Sequence, residues 1–246
     1  MNNSSDNLYA SFDQAFTGIS QTLAAFVPEM APREIGTISR VSVGVAKVAG
    51  LPGVGFDELV RFPGDLYGIA FNIDVDEIGV VLLGPCEQLQ AGDPVERTGR
   101  VMDVPVGEGL IGRVIDPLGA PLDGKGPVAS SHRLPIERPA PPILSRAPVT
   151  VPLQTGLIVI DALVPIGRGQ RELILGDRQT GKSAIAIDTI LNQRDQNVVC
   201  VYCAISQRAS SVAKVIAKLN EQGAMEYTVV VVVKGNDPPG LAYLSL

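Results

Sequence analysis

One segment of this chain reads Gly176-Asp-Arg-Gln-Thr-Gly-Lys-Ser183 and matches the pattern G-x-x-x-x-G-K-[ST] at every fixed position. The apolar run Glu172-Leu-Ile-Leu175 leads directly into it, and a helical pattern begins near Lys182. A strand, a glycine-containing loop and a helix in this order predict a phosphate-binding loop (P-loop) of an α/β domain. A glycine-containing turn without a ligand is the alternative, and it explains this context less well.

The residue types of the segment suit the phosphates of a purine nucleoside triphosphate. Gly176 and Gly181 let the backbone aim successive amides inward, and the following helix adds its N-terminal dipole. Lys182 is expected to reach the β- and γ-phosphates, and the Ser183 hydroxyl is expected to coordinate Mg²⁺. We therefore predict Mg²⁺ and ATP or ADP as ligands. The predicted nucleotide-binding residues are Gly176, Asp177, Arg178, Gln179, Thr180, Gly181, Lys182 and Ser183.

The residues around this segment alternate between strand and helix patterns. Strands are predicted to begin near Arg171, Asn197 and Thr228, about one βαβ repeat apart. The run Val229–Val233 is apolar on both faces, which predicts a central parallel strand covered by helices on each side. If the sheet stopped at this strand, an apolar edge would be exposed. Helical spacing of apolar residues follows Lys182 and recurs at Val212, Val215, Ile216 and Leu219.

Two further regions precede this domain. Short β-rich runs separated by turns such as Leu51-Pro-Gly53 predict a small closed barrel with a structural role. Apolar residues recur every three or four positions from Leu8 to Val27, which predicts an amphipathic helix. The sequence leaves open whether that helix packs on its own domain or docks onto a partner. The predicted domains are residues 1–33 (helix and linker), 34–101 (β-barrel) and 102–246 (nucleotide-binding domain).

Charge and hydropathy exclude several classes of protein. The formal net charge of −6 disfavours a nucleic-acid grip through the overall field, so bound phosphate must be held locally. No run of 18 apolar residues predicts a membrane span. The first positive side chain is Arg33, preceded by Asp6 and Asp13, so no signal peptide is predicted and the expected location is cytoplasmic.

The cysteines and the single histidine do not suggest a catalytic or metal site. Cys200 and Cys203 form a C-x-x-C, but they lie in a strand-like run in which positions i and i+3 point to opposite faces. We expect two core cysteines rather than a redox pair. His132 has no second histidine with which to share a metal, so it is expected at the surface.

The residues from Pro165 to Asp188 closely resemble the α subunits of rotary proton-translocating ATP synthases. The loop form Gly-Asp-Arg-Gln-Thr-Gly-Lys is distinctive of those subunits, because their β subunits have a different loop filling. The similarity also covers the segments 105–126, 152–156 and 221–228 and extends over residues 35–246 nearly throughout.

The resemblance implies a fold class and an assembly. The expected fold is an incomplete α/β P-loop (RecA-like) parallel-sheet domain, preceded by a small all-β barrel and an N-terminal amphipathic helix. The expected assembly is a hexameric head in which α alternates with β around a central γ stalk, with the N-terminal helix on the δ stator subunit. The expected location is the cytoplasmic face of the bacterial inner membrane, with membrane contact through partner subunits.

Binding of nucleotide is not hydrolysis, and Gln207 bears on that difference. It follows the predicted strand Asn197–Ala204 and is a candidate for the γ-phosphate side, although a polar surface loop is an equal alternative. A neutral amide cannot act as a carboxylate base. The resemblance implies a carboxylate at the equivalent place in β subunits and a non-catalytic site here. We therefore predict no catalytic residue in this chain.

The chain departs from the family pattern at several places. Ser183 replaces the more usual threonine, Ser206 stands where glycine is usual, and the stretch Ser130–Arg146 looks short, as in a divergent branch or second copy. The family's later strands, acidic Mg²⁺ ligand and helical domain have no counterpart in these 246 residues. The expectation is a fragment or a truncated copy that only binds nucleotide. A hexameric nucleic-acid motor is a further alternative, disfavoured by the few basic and aromatic residues of the barrel.

Overall fold

The structure is a computed structural model that describes residues 34–245. The predicted N-terminal helix, from Leu8 to Val27, lies outside the described residues. Within the described part of the chain, no helix is both long and apolar enough to cross a membrane.

The first described unit is a closed six-stranded barrel, as the sequence predicted. Its strand order is β1-β2-β5-β4-β3-β6, and β1 pairs with β6 to close it. Every other residue of the strands points inward, and side chains such as Val48, Val60 and Val80 are completely buried there. The strands are β1 (Ile35–Ser42), β2 (Val45–Ala49), β3 (Glu58–Phe62), β4 (Leu66–Ile73), β5 (Ile78–Leu82) and β6 (Pro94–Val101).

A nearly buried ion-pair network ties the barrel together. Arg97 Nε donates to Glu58 Oε1 at 2.7 Å, and Arg97 NH1 donates to Glu34 Oε2 at 3.1 Å. The backbone N–H groups of Gly55 and Gly99 also donate to Glu58. Burial alone would raise the pKa of Glu58, but these hydrogen bonds outweigh it and lower that pKa. The network joins β3, β6 and the residue before β1.

A connecting region links the barrel to the nucleotide-binding domain. Strand β7 (Asp103–Val106) pairs with β9 (His132–Pro135), and the two-residue β8 (Val114–Ile115) leaves this region to join the next sheet. Arg113 donates to both carboxylate oxygens of Asp123, at 2.7 and 3.0 Å. His132 is exposed, as expected, and its Nδ1 lies 2.6 Å from the Ser131 hydroxyl.

The nucleotide-binding domain contains a parallel sheet of order β12-β13-β8. Helix α2 follows the P-loop, and α3 connects β12 to β13 as a βαβ crossover. A two-stranded ladder, β10 with β11, lies earlier in the chain. The elements are β10 (Pro152–Leu153), α1 (Ile158–Leu163), β11 (Ile166–Gly167), α2 (Lys182–Leu191), β12 (Cys200–Gln207), α3 (Ala209–Glu221), β13 (Thr228–Lys234) and α4 (Pro239–Leu244).

The domain core lies between the sheet and the two helices α2 and α3. Ile187 and Ile190 of α2 are buried together with Val212 and Leu219 of α3, at the spacing that the sequence predicted. Strand β13 is the central strand, since β12 flanks one edge and β8 the other.

Three sequence predictions are wrong in this part of the fold. The edge of Val229–Val233 is not exposed, because β8 pairs with it. The run Glu172–Leu175 is not a strand, because none of the described residues forms a ladder with it, and Leu173 and Leu175 are about four-fifths exposed. Cys200 is buried, but Cys203 is exposed on the opposite face, so only one of the two is a core cysteine.

Candidate phosphate-binding loop

The loop from Gly176 to Gly181 has the backbone conformation that a phosphate cradle requires. Gln179 has φ +64° and Gly181 has φ +89°, so two residues of the loop lie in the left-handed region. Gly181 is the N-cap of α2, and a side chain at that φ would be strained. Thr180 Oγ1 donates to the Asp177 carbonyl at 2.8 Å and holds the turn closed. The loop therefore delivers the chain to the N-terminus of α2, where unpaired amides point outward.

Lys182 folds back over the loop. Its Nζ donates to the carbonyl of Gly176 at 2.6 Å and also to the carbonyl of Asp177. The ammonium group is thus held at the mouth of the loop, next to the first turn of α2. A positive charge beside free helix amides favours an anion in that place.

Ser183 is exposed in the first turn of α2, which leaves its hydroxyl accessible. All eight residues of the predicted site, 176–183, are contiguous and lie at the surface or are half-buried. Between residues 34 and 245, no group of three or more histidine, cysteine or acidic side chains is arranged to hold a metal ion. A Mg²⁺ ion at Ser183 would therefore be held by that hydroxyl together with nucleotide oxygens.

Gln207 ends β12, next to a distortion of the sheet. The register between β12 and β13 shifts between Ile205 and Gln207, and the residue in between, Ser206, has φ +53°. Such a φ is uncommon for serine and marks a bulge that changes the direction of the following side chain. In the described part of the chain, no hydrogen bond connects Gln207 with the P-loop. Its place on the γ-phosphate side stays a prediction.

The other end of α2 is held by residues that the sequence analysis did not identify. The Asp161 carboxylate accepts hydrogen bonds from the backbone N–H and hydroxyl of Thr155 and from the backbone N–H of Gly156. These bonds lower the pKa of Asp161 and fix the turn after β10. The turn in turn contacts the last residues of α2. Only the segment Pro152–Gly156, noted for its similarity to a known family, pointed to this turn.

Comparison with known proteins agrees with the fold and the loop. A model of the ATP synthase alpha/beta family β-barrel domain matches residues 33–99. A model of the nucleotide-binding domain of the same family matches residues 156–246. The two regions contain the closed barrel and the P-loop with its parallel sheet.

Curated relatives agree over almost the whole chain. ATP synthase subunit alpha 2 of Albidiferax ferrireducens is 73% identical over 98% of this chain and 45% of its own length. ATP synthase subunit alpha 1 of Shewanella frigidimarina is 68% identical over 98% of this chain and 46% of its own length. ATP synthase subunit alpha 2 of Polaromonas naphthalenivorans is 69% identical over the same shares.

The barrel, the P-loop domain and both family matches define an ATP synthase alpha/beta family protein, and the chain belongs to that family. Within the family, its similarity is to the subunits named alpha. The chain spans about half the length of the curated relatives it matches.

Proposed function

We propose that this chain is the nucleotide-binding, non-catalytic α subunit of a proton-translocating ATP synthase. In that role it binds Mg-ATP through residues 176–183 and supports ATP synthesis at a neighbouring β site. The observation that carries the proposal is the P-loop itself, with Lys182 at its mouth and the Ser183 hydroxyl accessible in the first turn of α2. The family and the names of the relatives support the α assignment.

The absence of a carboxylate at position 207 supports binding without turnover. An acidic group or another base must take the proton of the attacking water in a hydrolytic site, and the amide of Gln207 cannot do so. The proposal therefore assigns this chain a site that holds nucleotide and leaves the chemistry to a partner. Its proposed partners are β subunits in an alternating hexamer, the central γ stalk, and the δ stator subunit through residues 1–33. Its proposed location is peripheral, on the cytoplasmic face of the bacterial inner membrane.

The nucleic-acid motor receives no support from the barrel surface. Four of the five basic residues that the sequence offers there form ion pairs with carboxylates and are not free for phosphates. They are Lys47, Arg61, Arg97 and Arg100. An exposed aromatic pair, Phe56 and Phe71, contacts itself with ring centroids 6.0 Å apart. Single-strand binding requires aromatic platforms beside free cations.

Phosphate release and assembly test the proposal together. The purified chain is incubated with Mg-ATP, with and without a β subunit, and the mixture is weighed by native mass spectrometry. We expect bound nucleotide, no phosphate release from the chain alone, and α–β complexes. Phosphate release by the chain alone would contradict the non-catalytic assignment. Nucleotide binding without any association with β would contradict the subunit role and leave a protein that only binds nucleotide.

A further inference from the structure

Helix α2 has two ends, and only its N-terminal end belongs to the P-loop. At the other end, the side chains of Asn192 and Gln193 both reach the backbone carbonyl of Gln154. Asn192 Nδ2 donates to this oxygen at 2.9 Å, and Gln193 Nε2 donates to it at 2.8 Å. Gln193 Nε2 also donates to the Thr189 carbonyl at 3.0 Å. One carbonyl thus accepts two amide donors, and the two hydrogens of Gln193 Nε2 are both used.

The Gln193 side chain is buried, with 3% of its surface exposed. A buried amide is costly unless its hydrogen bonds are made, so this arrangement has one strongly preferred geometry. The helix and the turn also approach closely. A side chain at Gly156, which has φ +79°, would place its Cβ 2.8 Å from Asn192 Cγ. The contact therefore excludes both water and alternative positions of the helix end.

The carbonyl that receives these bonds is itself held in place. It precedes Thr155, which is 1% exposed and hydrogen-bonded to Asp161 through its N–H and its hydroxyl. On the other side of the helix end, the Tyr227 hydroxyl donates to the carbonyls of Ile190 and Leu191, at 3.2 and 3.4 Å. The C-terminal end of α2 is therefore fixed from two directions.

An α-helix of ten residues is about 15 Å long and stiff, so a rotation or shift at one end moves the other end with it. The loop end of α2 is exposed and packs less than its C-terminal half, since Ile187 and Ile190 are its buried side chains. The direction of the amides at Gly181 and Lys182 is consequently set by what holds the far end.

We propose that Gln193 is a positioning residue for nucleotide binding: by fastening the end of α2 to the Gln154 carbonyl, it orients the helix N-terminus and Lys182 towards the phosphates. This inference rests on the proposed function, namely that the P-loop binds Mg-ATP. Gln193 touches no nucleotide and acts through the helix.

The substitution Gln193→Met tests the role, because methionine keeps the length and volume of the side chain and removes both donors. Gln196→Met is the matched control, since Gln196 is exposed and makes no side-chain hydrogen bond. Two measurements are made on the full chain: the Kd for Mg-ATP by calorimetry, and backbone amide exchange by mass spectrometry without nucleotide. The loss of one hydrogen-bonding side chain is expected to weaken Mg-ATP binding about three- to tenfold. Exchange is expected to rise in residues 181–191 and to stay unchanged in β12 and β13.

The outcomes separate the two proposals. Weaker binding with faster exchange confined to α2 supports the inference, and so does a smaller effect of Asn192→Ala, which removes only the exposed donor. Unchanged affinity in Gln193→Met overturns it, as does faster exchange spread over the whole domain, which indicates general destabilisation. If Gln193→Met does not fold, Asn192→Ala decides: an unchanged Kd and unchanged α2 exchange overturn the inference. If the unsubstituted chain binds no Mg-ATP, the proposed function fails, and α2 exchange without nucleotide still shows whether Gln193 holds the helix.

Discussion

Ser206→Gly should stabilise the protein, because the native residue lies in a conformation that suits glycine. Ser206 has φ +53° at the bulge that ends the regular pairing of β12 with β13. The left-handed region costs an L-residue roughly 1–2 kcal/mol, whereas glycine adopts it freely. Glycine loses roughly 0.5–1 kcal/mol through its greater freedom in the unfolded chain. The difference predicts a gain of about 0.5–1 kcal/mol, which corresponds to about 1–3 °C in Tm for a chain of this size.

Urea denaturation followed by circular dichroism measures this gain as a higher midpoint at an unchanged slope. The matched control is Ser211→Gly, since Ser211 is also exposed but lies in the first turn of α3 with helical φ. There glycine relieves nothing, so the control should be neutral or should lose up to about 1 kcal/mol. An unchanged or lower midpoint in Ser206→Gly would refute the reasoning, because it would mean that the bulge stores no strain at position 206.

Two further predictions concern stability. Leu219→Ala, which empties a fully buried position of α3, should cost about 2–5 kcal/mol in urea denaturation, whereas the exposed Leu163→Ala should change stability by less than about 0.5 kcal/mol. Hydrogen bonds from Arg113 hold the pKa of Asp123 well below its usual range, so its stabilisation is fully present above the unfolded-state value of about 3.9 and is lost as the pH falls below it. Asp123→Asn should therefore flatten the acid side of a plot of urea midpoint against pH, and an unchanged slope between about pH 3 and 5 would contradict that assignment.

The elements with a strong local pattern were predictable. The barrel follows from alternating apolar residues between turns, and α3 follows from Val212, Val215 and Leu219 on one helical face. The central place of β13 follows from a run that is apolar on both faces. In each case, a few adjacent residues carry the whole signal.

The features that depend on distant residues were not predictable. Strand β8 has only two residues, and it lies beside β13 although more than a hundred positions separate them, so nothing local announces that it covers the sheet edge. The run at 172–175 has the composition of a strand, but a strand also needs a neighbour to pair with. Cys203 is apolar enough for a core, yet the face it occupies is uncovered by the described residues.

The candidate site divides in the same way. The P-loop was identified completely, because its residues are contiguous and their types are fixed by phosphate chemistry. The contact between Gln193 and the Gln154 carbonyl joins residues 39 positions apart, through a buried amide that resembles any surface glutamine in the sequence. The positive φ of Ser206 was also invisible, because serine gives no signal for that conformation.

Calorimetric titration of the chain with Mg-ATP, compared with Lys182→Ala, tests the central claim most directly. Lys214→Ala is the control, because Lys214 is exposed on α3 and pairs with no acidic residue among those described. Removal of the Lys182 charge at the loop mouth should weaken binding about a hundredfold or abolish it, while Lys214→Ala binds like the unsubstituted chain. Equal affinity in Lys182→Ala and the unsubstituted chain would contradict the assignment of residues 176–183 as the nucleotide site.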